Sequence, residues 1–362
     1  MDLEQLRDHL SAIDRQILEL VAERQRVSGE IGAWKQATGR PTRDFGREKH
    51  VLDVARQAAT ELGIPPGLAE DLLRLLIRSS LANQEQARVR AEGQGSGKPA
   101  LVIGGGGKMG RWFAEFLHSQ GFHVTIADPA GPVPGFPHVV DWRQTPDEFA
   151  VTVVSVPIPR TGPILREIGQ RRRGGLIFDI GSLKSPFIAE LKSLCQQGLH
   201  ATSLHPMFGP DTELLSGRHV LLLDAGCPEA TTDAAQLFSS TMAARTRMDI
   251  GDHDRLIAYV LGLSHALNVA FFTALAESGE TGPKLADISS TTFDSQLKVA
   301  GRVAEESPQL YFAIQQENPF GLAVLEELQR VVTRITEIVR QGDEAAFVGL
   351  MEQGRRYLQS RR

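Results

Sequence analysis

Positively charged side chains interrupt an apolar stripe in the first part of the chain. Leucine and isoleucine recur at alternating three- and four-residue steps between Leu3 and Ile31, which predicts one unusually long amphipathic helix. Arg24 lies in this stripe where a leucine is expected, and Lys35 follows on the same face, about 16 Å further along the axis. Burying a cation without a partner is costly. The stripe therefore predicts either protein carboxylates or an anionic ligand between the two cations.

Two further helices are predicted, from about 44 to 62 and from about 68 to 90, and polar residues interrupt them in the same way. These residues continue the apolar faces at helical spacing: Asp44, Arg47 and Glu48 on the second helix, Ser80 and Gln84 on the third. Two interpretations are open. Either Arg24 and Lys35 pair internally with Asp44 and Glu48, or the three helices bind a small acid. Because the first helix is too long to bury its stripe within its own chain, we expect it to pair with a second copy.

A glycine-rich turn, Gly-Gly-Gly-Gly-Lys-Met-Gly, lies between a strand-like apolar run (100–103) and a helical stretch (111–119). Its glycines have the G-x-G-x-x-G spacing that permits a tight turn and a close approach of backbone to a pyrophosphate. An acid follows a second predicted strand about 20 residues on, where it would bind ribose hydroxyls and repel the 2′-phosphate of NADP. This order predicts NAD binding. The expected contacts are Gly105, Gly107, Lys108, Met109, Gly110 and Asp128.

The pattern of elements predicts a multidomain α and α/β protein. Strand-like and helical segments alternate from about 99 to 248, which is typical of a doubly wound, Rossmann-like domain, and only helical segments follow. A Gly- and Ser-rich stretch at 92–98 predicts a flexible linker. We therefore expect four parts: an all-helical domain (1–91), the linker (92–98), a Rossmann-like domain (99–248) and an all-helical dimerisation and substrate domain (249–362).

Composition excludes several classes of function. The 362 residues are 41% hydrophobic and 23% charged, with a net charge of −5, so neither nucleic acid nor an anionic membrane is an expected partner. No uninterrupted apolar run reaches the roughly 18 residues of a membrane span, and the N-terminus does not have a signal peptide pattern. Cys195 and Cys227 have neither a disulfide framework nor metal-ligand spacing. We expect a cytoplasmic protein with reduced thiols and no metal.

The polar set of the first 90 residues resembles the active site of the all-helical chorismate mutases. The resemblance rests on type and spacing at eight positions: Arg7, Arg24, Lys35, Asp44, Arg47, Glu48, Ser80 and Gln84. It implies that Arg7 and Arg24 bind the carboxylates of chorismate, Lys35 and Gln84 the ether oxygen, and Glu48 the ring hydroxyl, with Asp44, Arg47 and Ser80 orienting them. Arg7 lies about 25 Å from Arg24 along a straight helix. If it serves this site, it comes from the other subunit of a dimer.

The remainder of the chain resembles the prephenate dehydrogenases, and the whole resembles their bifunctional fusion with chorismate mutase. The motifs are the glycine turn, V-S-V-P (154–157), D-I-G-S-L-K (179–184), L-H-P-M-F-G-P (204–210) and the pair G-R (301–302). The resemblance implies NAD-dependent oxidative decarboxylation of prephenate and tyrosine as a feedback inhibitor. It assigns His205 as the catalytic histidine, Ser155, Val156 and Pro157 to the cofactor, and Ser182, Arg302 and, more weakly, Lys184 and His265 to the substrate.

One position departs from the pattern of the prephenate dehydrogenases. Some relatives have a second arginine eight residues before the substrate-binding one, and this chain has Asp294 there. Arogenate, which has an amine where prephenate has a keto group, is therefore an alternative substrate. Two other functions stay open from the sequence: a dehydrogenase whose first helices only dimerise or regulate, and a nucleotide sensor without chemistry.

Overall fold

The fold is described from a computed structural model, which covers residues 2–171 and 174–360. Three helices form the N-terminal segment: α1 (Leu3–Ala37), α2 (Phe45–Leu62) and α3 (Pro66–Ala91). Side chains and local geometry set their ends. Asp2 and Gln5 form a capping box at the start of α1, Asp44 caps α2 by accepting from the Arg47 N–H at 2.9 Å, and Gly63 ends α2 in the left-handed conformation.

The apolar stripe of α1 lies largely outside the core of this chain. No residue of α1 is buried, and Leu3, Leu10 and Leu20 are 58–66% exposed, within the range of freely accessible side chains. A stripe of this length and composition normally packs against another surface. The expected long amphipathic helix is therefore present, and its stripe is available to a partner.

The segment between α3 and the first strand is not the flexible linker that its composition predicts. The Gly95 N–H donates to the Gln120 carbonyl at 2.9 Å, and the Gly97 N–H donates to the Gly121 carbonyl at 2.8 Å. A Cβ atom at Gly95 would lie 2.2 Å from the Phe122 nitrogen. The glycines thus serve close backbone packing rather than flexibility, and the prediction of a flexible linker is wrong.

An eight-stranded sheet forms the middle of the chain, with the order β3-β2-β1-β4-β5-β6-β7-β8. Neighbours from β3 to β6 are parallel, and β7 is antiparallel to β6. The strands are β1 (Pro99–Ile103), β2 (His123–Ala127), β3 (His138–Val139), β4 (Val151–Val154), β5 (Leu176–Asp179), β6 (Ala201–Pro206), β7 (His219–Asp224) and β8 (Ala244–Asp249). The intervening helices are α4 (Lys108–Ser119), α5 (Ile158–Arg171), α6 (Ile188–Gln196) and α7 (Pro228–Gln236).

The strand order reverses between β1 and β4, which lie side by side although β2 and β3 separate them in sequence. Ligands of doubly wound sheets bind outside the carboxyl ends of the strands at such a point. The loop after β1 is the glycine turn, and the loop after β4 begins with Ser155. The predicted Rossmann-like topology is confirmed, and both predicted cofactor loops lie at the switch point.

The described elements after β8, up to Gln359, are helices. They are α8 (Ile250–Ile257), α9 (Ser264–Glu277), α10 (Gly282–Asp287), α11 (Thr291–Ala304), α12 (Pro308–Gln316), α13 (Gly321–Gln341) and α14 (Glu344–Gln359), and a π-helical turn (Ala258–Leu263) joins α8 to α9. They form a compact unit together with residues 157–162 and 181–189, and the rest of the chain forms a second unit. The all-helical character expected after about 249 is confirmed.

One apolar segment of this unit bears on the expectation that no apolar run is long enough to span a membrane. Within the described ranges, the continuous helical stretch Ile250–Glu277 is long and apolar enough by composition to cross a membrane, with 22% of its most apolar window buried. One such helix is weak support for a membrane span, because core helices of other proteins pass the same test. His253, Asp254, His265 and Asn268 are buried polar residues of this stretch.

Candidate active sites

Helices α1, α2 and α3 line an open cavity of about 480 Å³. Its lining includes seven of the eight polar residues singled out from sequence: Arg24, Lys35, Asp44, Arg47, Glu48, Ser80 and Gln84. Apolar side chains such as Val27, Ile31 and Ile77 complete the wall. The helical spacing therefore places these charges around one space of small-molecule size.

Arg24 is held at the cavity wall by neutral partners. Its Nη1 donates to the Ser80 Oγ at 2.8 Å and to the Leu76 carbonyl at 3.1 Å. Partial burial lowers the pKa of the guanidinium, although arginine stays protonated in proteins. Neither partner carries a charge, and Arg24 forms no ion pair with the residues that the structure describes.

Lys35 has the same kind of environment, because its Nζ donates to the Thr42 carbonyl at 2.7 Å. Across residues 2–171 and 174–360, no ion pair joins Arg24 or Lys35 to Asp44 or Glu48. The internal salt-bridge interpretation therefore does not hold for this cavity. Two cations face a space that suits an acidic ligand.

Gln84 is positioned by small residues of α1 that sequence reasoning missed. Its Nε2 donates to both the Ser28 carbonyl and the Ser28 Oγ at 2.8 Å, while its Oε1 is buried without a hydrogen-bond partner. A Cβ atom at Gly32 would lie 2.7 Å from the Gln84 Cγ. Glycine at 32 therefore leaves the space that the Gln84 side chain needs.

Glu48 is held by a residue outside the cavity lining. The Arg43 Nε and Nη2 donate to its two carboxylate oxygens at 2.8 and 2.9 Å. This hydrogen bonding raises the pKa of Arg43. Arg43 interrupts no periodic apolar stripe, because it lies in the connection between α1 and α2.

Arg7 is the one predicted mutase residue that the cavity does not include. It lies on the exposed N-terminal part of α1. Its own chain therefore does not bring it to the cavity, in agreement with the separation calculated from helix geometry.

The glycine turn forms a cradle that side chains would fill. Gly104 has φ +84°, and a Cβ there would lie 2.1 Å from the Ser155 carbonyl oxygen. A Cβ at Gly110 would lie 2.2 Å from the Gly104 carbonyl oxygen. A Cβ at Gly107 would lie 3.4 Å from the same oxygen, which is an ordinary contact distance. The turn is thus closed within the protein and leaves its outer side, at the N-terminus of α4, free for a phosphate group.

Helix α4 begins at Lys108 rather than at the predicted Arg111, so Lys108, Met109 and Gly110 form its first turn. Asp128 follows β2, where its carboxylate accepts from the Gly106 N–H at 2.9 Å and the Ala130 N–H at 2.8 Å. This acid therefore also fixes the glycine turn. On the other side of the switch point, the Ser155 N–H donates to the Ile103 carbonyl at 2.8 Å, and Val156 and Pro157 follow.

His205 lies near the C-terminal end of β6 and is 4% exposed. It is followed by Pro206, which restricts His205 to the extended conformation seen in the strand. The catalytic histidine predicted from the motif is therefore on a rigid element at the sheet edge where such folds bind ligands.

Ser182 and Lys184 belong to the other compact unit, in a loop that Asp254 holds. The Asp254 carboxylate accepts from the Lys184 N–H at 2.9 Å and the Ser185 N–H at 2.7 Å, and it contacts His253 Nδ1 at 2.6 Å. Burial acts to raise the pKa of Asp254, but hydrogen bonds from His253 and Ser185 outweigh it and hold that pKa below its usual value. Sequence reasoning missed this support, since residue 254 is distant from the motif.

The same unit contains His265 and Arg302. His265 is buried and stacks on Tyr311 with ring centroids 4.0 Å apart, and burial lowers the pKa of its imidazole. Arg302 is exposed in the last turn of α11, and Asp294, in the first turn, accepts a hydrogen bond from the Ser289 hydroxyl.

Three family models match the chain in sequence order. Residues 6–85 match chorismate mutase type II, residues 138–243 match the nucleotide-binding domain of prephenate dehydrogenase, and residues 249–353 match its dimerization domain. The nucleotide-binding match starts after the glycine turn and Asp128, whose assignment therefore rests on their own geometry. The mutase match does not favour first helices that only dimerise or regulate.

Relatives and solved structures agree with these matches. The T-protein of Enterobacter agglomerans is 28% identical over 350 residues, which cover 96% of this chain and 90% of the relative. The 4-amino-4-deoxyprephenate dehydrogenase of Streptomyces pristinaespiralis is 30% identical over 261 residues, or 69% of this chain and 88% of the relative.

Prephenate dehydrogenase from Aquifex aeolicus, solved with hydroxyphenyl propionate and NAD+, shares the fold. Its TM-score is 0.59 at 18% identity, and the match covers 72% of this chain and 98% of that one. Together with the mutase cavity and the glycine cradle, these findings show that the chain belongs to the bifunctional chorismate mutase–prephenate dehydrogenases of tyrosine biosynthesis, in which NAD is the cofactor.

Proposed function

We propose that the cavity between α1, α2 and α3 is the site at which chorismate rearranges to prephenate. The observation that carries this proposal is that Arg24 and Lys35 face the cavity with neutral hydrogen-bond partners. Chorismate is a dicarboxylate, and its rearrangement needs neither a nucleophile nor a cofactor. Catalysis then depends on holding the reactive conformer and stabilising charge on the breaking ether bond.

The residue roles are those that the resemblance to the all-helical chorismate mutases implies. Arg24 binds a carboxylate, Lys35 and Gln84 bind the ether oxygen, and Glu48 accepts from the ring hydroxyl. Asp44, Arg47 and Ser80 orient these groups, and Ser80 already accepts a hydrogen bond from Arg24. To donate to the ether oxygen, the Gln84 amide must share or release the hydrogen bonds that it now gives to Ser28.

Arg7 completes the mutase site from a second copy of the chain. The exposed stripe of α1 supports this arrangement, because pairing of two α1 helices would bury it and carry Arg7 toward the partner's cavity. The match of residues 249–353 to a dimerization domain supports the same oligomeric state. We therefore propose a homodimer.

In the dehydrogenase part, the residues around the glycine cradle fit NAD. Gly105, Gly107, Lys108, Met109 and Gly110 would hold the pyrophosphate at the start of α4. Asp128 would bind the ribose, and Ser155, Val156 and Pro157 would flank the cofactor across the switch point. When bound, NAD accepts the hydride that prephenate loses.

The protein's own residues supply the proton transfer and the substrate contacts. A neutral His205 imidazole accepts the proton of the substrate hydroxyl as the carbinol carbon is oxidised. The resemblance assigns Ser182, His265 and Arg302 to the substrate, and Arg302 would bind a carboxylate in the bidentate manner that guanidinium groups favour. Decarboxylation then gives 4-hydroxyphenylpyruvate.

Three further assignments are part of the proposal. Asp294 would meet the ammonium group of arogenate, which makes arogenate the alternative substrate. Tyrosine acts as a feedback inhibitor of the pathway that it ends. The protein works in the cytoplasm with both cysteines reduced, and burial raises the pKa of Cys195 to about 11, which keeps this thiol unreactive.

The test compares NADH production from chorismate, prephenate and arogenate, with and without tyrosine. We expect NADH from chorismate and prephenate, and NADH from arogenate would support arogenate as the alternative substrate. In His205→Asn, turnover of prephenate should stop while NAD binding persists. NADH from prephenate but not from chorismate would contradict the mutase proposal. Unchanged turnover in His205→Asn would contradict the assigned base.

A further inference from the structure

Arg43 joins the mutase cavity to the α/β part of the same compact unit. Its Nε and Nη2 hold both oxygens of Glu48, and its Nη1 donates to the Ser216 hydroxyl at 2.7 Å. Ser216 lies in the connection between β6 and β7, which follows His205 and Pro206. The guanidinium also packs over the Phe45 ring, 4.4 Å from its centroid. Each of the three guanidinium nitrogens of Arg43 thus donates to a protein partner.

A second contact holds the same short segment. Glu85 follows Gln84 on α3 and is 3% exposed, with its carboxylate turned away from the cavity. It accepts from the Leu215 N–H at 2.7 Å and from the Met242 N–H. Leu215 and Ser216 are therefore fixed to the helical segment by Glu85 and Arg43.

Arg43 and Glu85, which make these contacts, are next to proposed catalytic residues. Arg43 precedes Asp44 and holds Glu48, while Glu85 follows Gln84. A carboxylate on a flexible side chain loses orientation when its hydrogen-bond donors are removed, and a bidentate guanidinium fixes both its position and its plane. The connection between β6 and β7 thus supports the geometry of the mutase cavity from outside.

We propose that Arg43 is a positioning residue for the mutase reaction, and that Ser216 of the dehydrogenase part holds it in place. The inference rests on the proposed mutase site. Arg43 does not line the cavity and does not touch the substrate. It acts through Glu48, so that the α/β part contributes to a reaction that takes place among the helices.

The experiment measures mutase kcat and KM for Arg43→Ala, Arg43→Lys and Ser216→Ala in the full chain, with prephenate dehydrogenase activity and Tm as checks. We expect Arg43→Ala to lower kcat about ten-fold, because the orientation of Glu48 is lost. KM should stay within about two-fold, since Arg24 and Arg7 still bind the carboxylates. Arg43→Lys, which keeps one donor, should recover part of kcat, and Ser216→Ala should lower it about three-fold.

Arg40→Ala is the matched control. Arg40 lies in the same connection between helices, but its guanidinium packs over Trp34 instead of holding Glu48. Its mutase kcat should equal that of wild type. A different result is expected if Arg43→Ala only destabilises the fold. Tm then falls, Arg43→Lys restores Tm but not kcat, and Ser216→Ala leaves kcat unchanged. This result would overturn the inference. If the wild-type protein has no mutase activity, this result contradicts the proposed function instead.

Discussion

Arg24 and Lys35 differ from the other basic residues of α1 in their surroundings. Arg26, for example, is exposed and pairs with Glu30 at 2.6 Å one turn away. Such surface pairs contribute little to stability and need no ligand. In the part of the chain that the structure describes, the side chains of Arg24 and Lys35 donate to neutral partners, so their charge is available for a bound dicarboxylate.

This difference gives a prediction with an internal control. Arg24→Ala or Lys35→Ala should lower mutase kcat/KM by about 100-fold or more, because each removes a fixed charge that faces the reacting molecule. Arg26→Ala, on the same helix, should stay within about two-fold of wild type. Chorismate turnover followed by absorbance checks this, with prephenate dehydrogenase activity as a measure of folding. Equal losses in all three variants would argue against a specific site.

His265 gives a prediction about pH. Because burial lowers its pKa below the ordinary value of 6.5, the unfolded chain binds more protons than the folded chain between the ordinary and the lowered value. The free energy of unfolding should therefore decrease as pH falls below about 6.5. This decrease should be smaller in His265→Gln and unchanged in His9→Gln, where the histidine is exposed on α1.

The measurement is Tm as a function of pH between about 7.5 and 5. Only the slope is compared, so a constant loss of stability from the substitution itself does not matter. A slope in His265→Gln equal to that of wild type would show that the pKa of His265 does not differ between the folded and the unfolded chain.

Residue spacing could predict the ligand-facing side chains but not those that support them. Arg24, Lys35 and Gln84 interrupt periodic apolar stripes, which is a signal that one sequence contains. Arg43, Gly32 and Asp254 lie at positions without such periodicity, and their partners are distant in the chain or come from other elements. Their roles depend on tertiary contacts, so sequence spacing could not reveal them.

At the scale of elements, the order of strands and helices was predictable because apolar runs and helical stripes alternate clearly. The close packing of the linker was not predictable, because the same glycines suit a flexible chain and a closely packed one. The hydrogen bonds of Gly95 and Gly97 to the turn before β2 make this segment a closely packed one. Composition alone contains no information about such a neighbour.

The glycine turn provides a test at this scale. In Gly104→Ala, the alanine backbone would have to adopt φ +84°, which costs about 1–2 kcal/mol. Its Cβ would also lie 2.1 Å from the Ser155 carbonyl oxygen. We expect a lower Tm and NAD affinity reduced at least ten-fold, measured by calorimetric titration. In Gly107→Ala, where φ is −71° and there is room for a Cβ, Tm should be unchanged and NAD affinity should still fall. Normal NAD affinity in both variants would exclude this turn as the pyrophosphate site.

At the scale of the whole molecule, apolar surface remains that the single chain does not bury. Besides the α1 stripe, large apolar side chains such as Val260, Leu267, Val339 and Met351 are exposed in the C-terminal helices. Exposed apolar surface of this extent is typical of protein–protein interfaces. A homodimer that buries both regions accounts for it without another kind of partner.

A dimer in which Arg7 crosses to the partner makes a specific prediction for mixed subunits. Arg7→Ala and Lys35→Ala should each inactivate the mutase, because each removes one part of every site. When the two variants are co-expressed, each heterodimer contains one site with both defects and one site with none. With random assembly, about a quarter of wild-type mutase activity should return. If Arg7 acted within its own chain, every site of the mixture would remain defective, and activity would stay at the level of the separate variants.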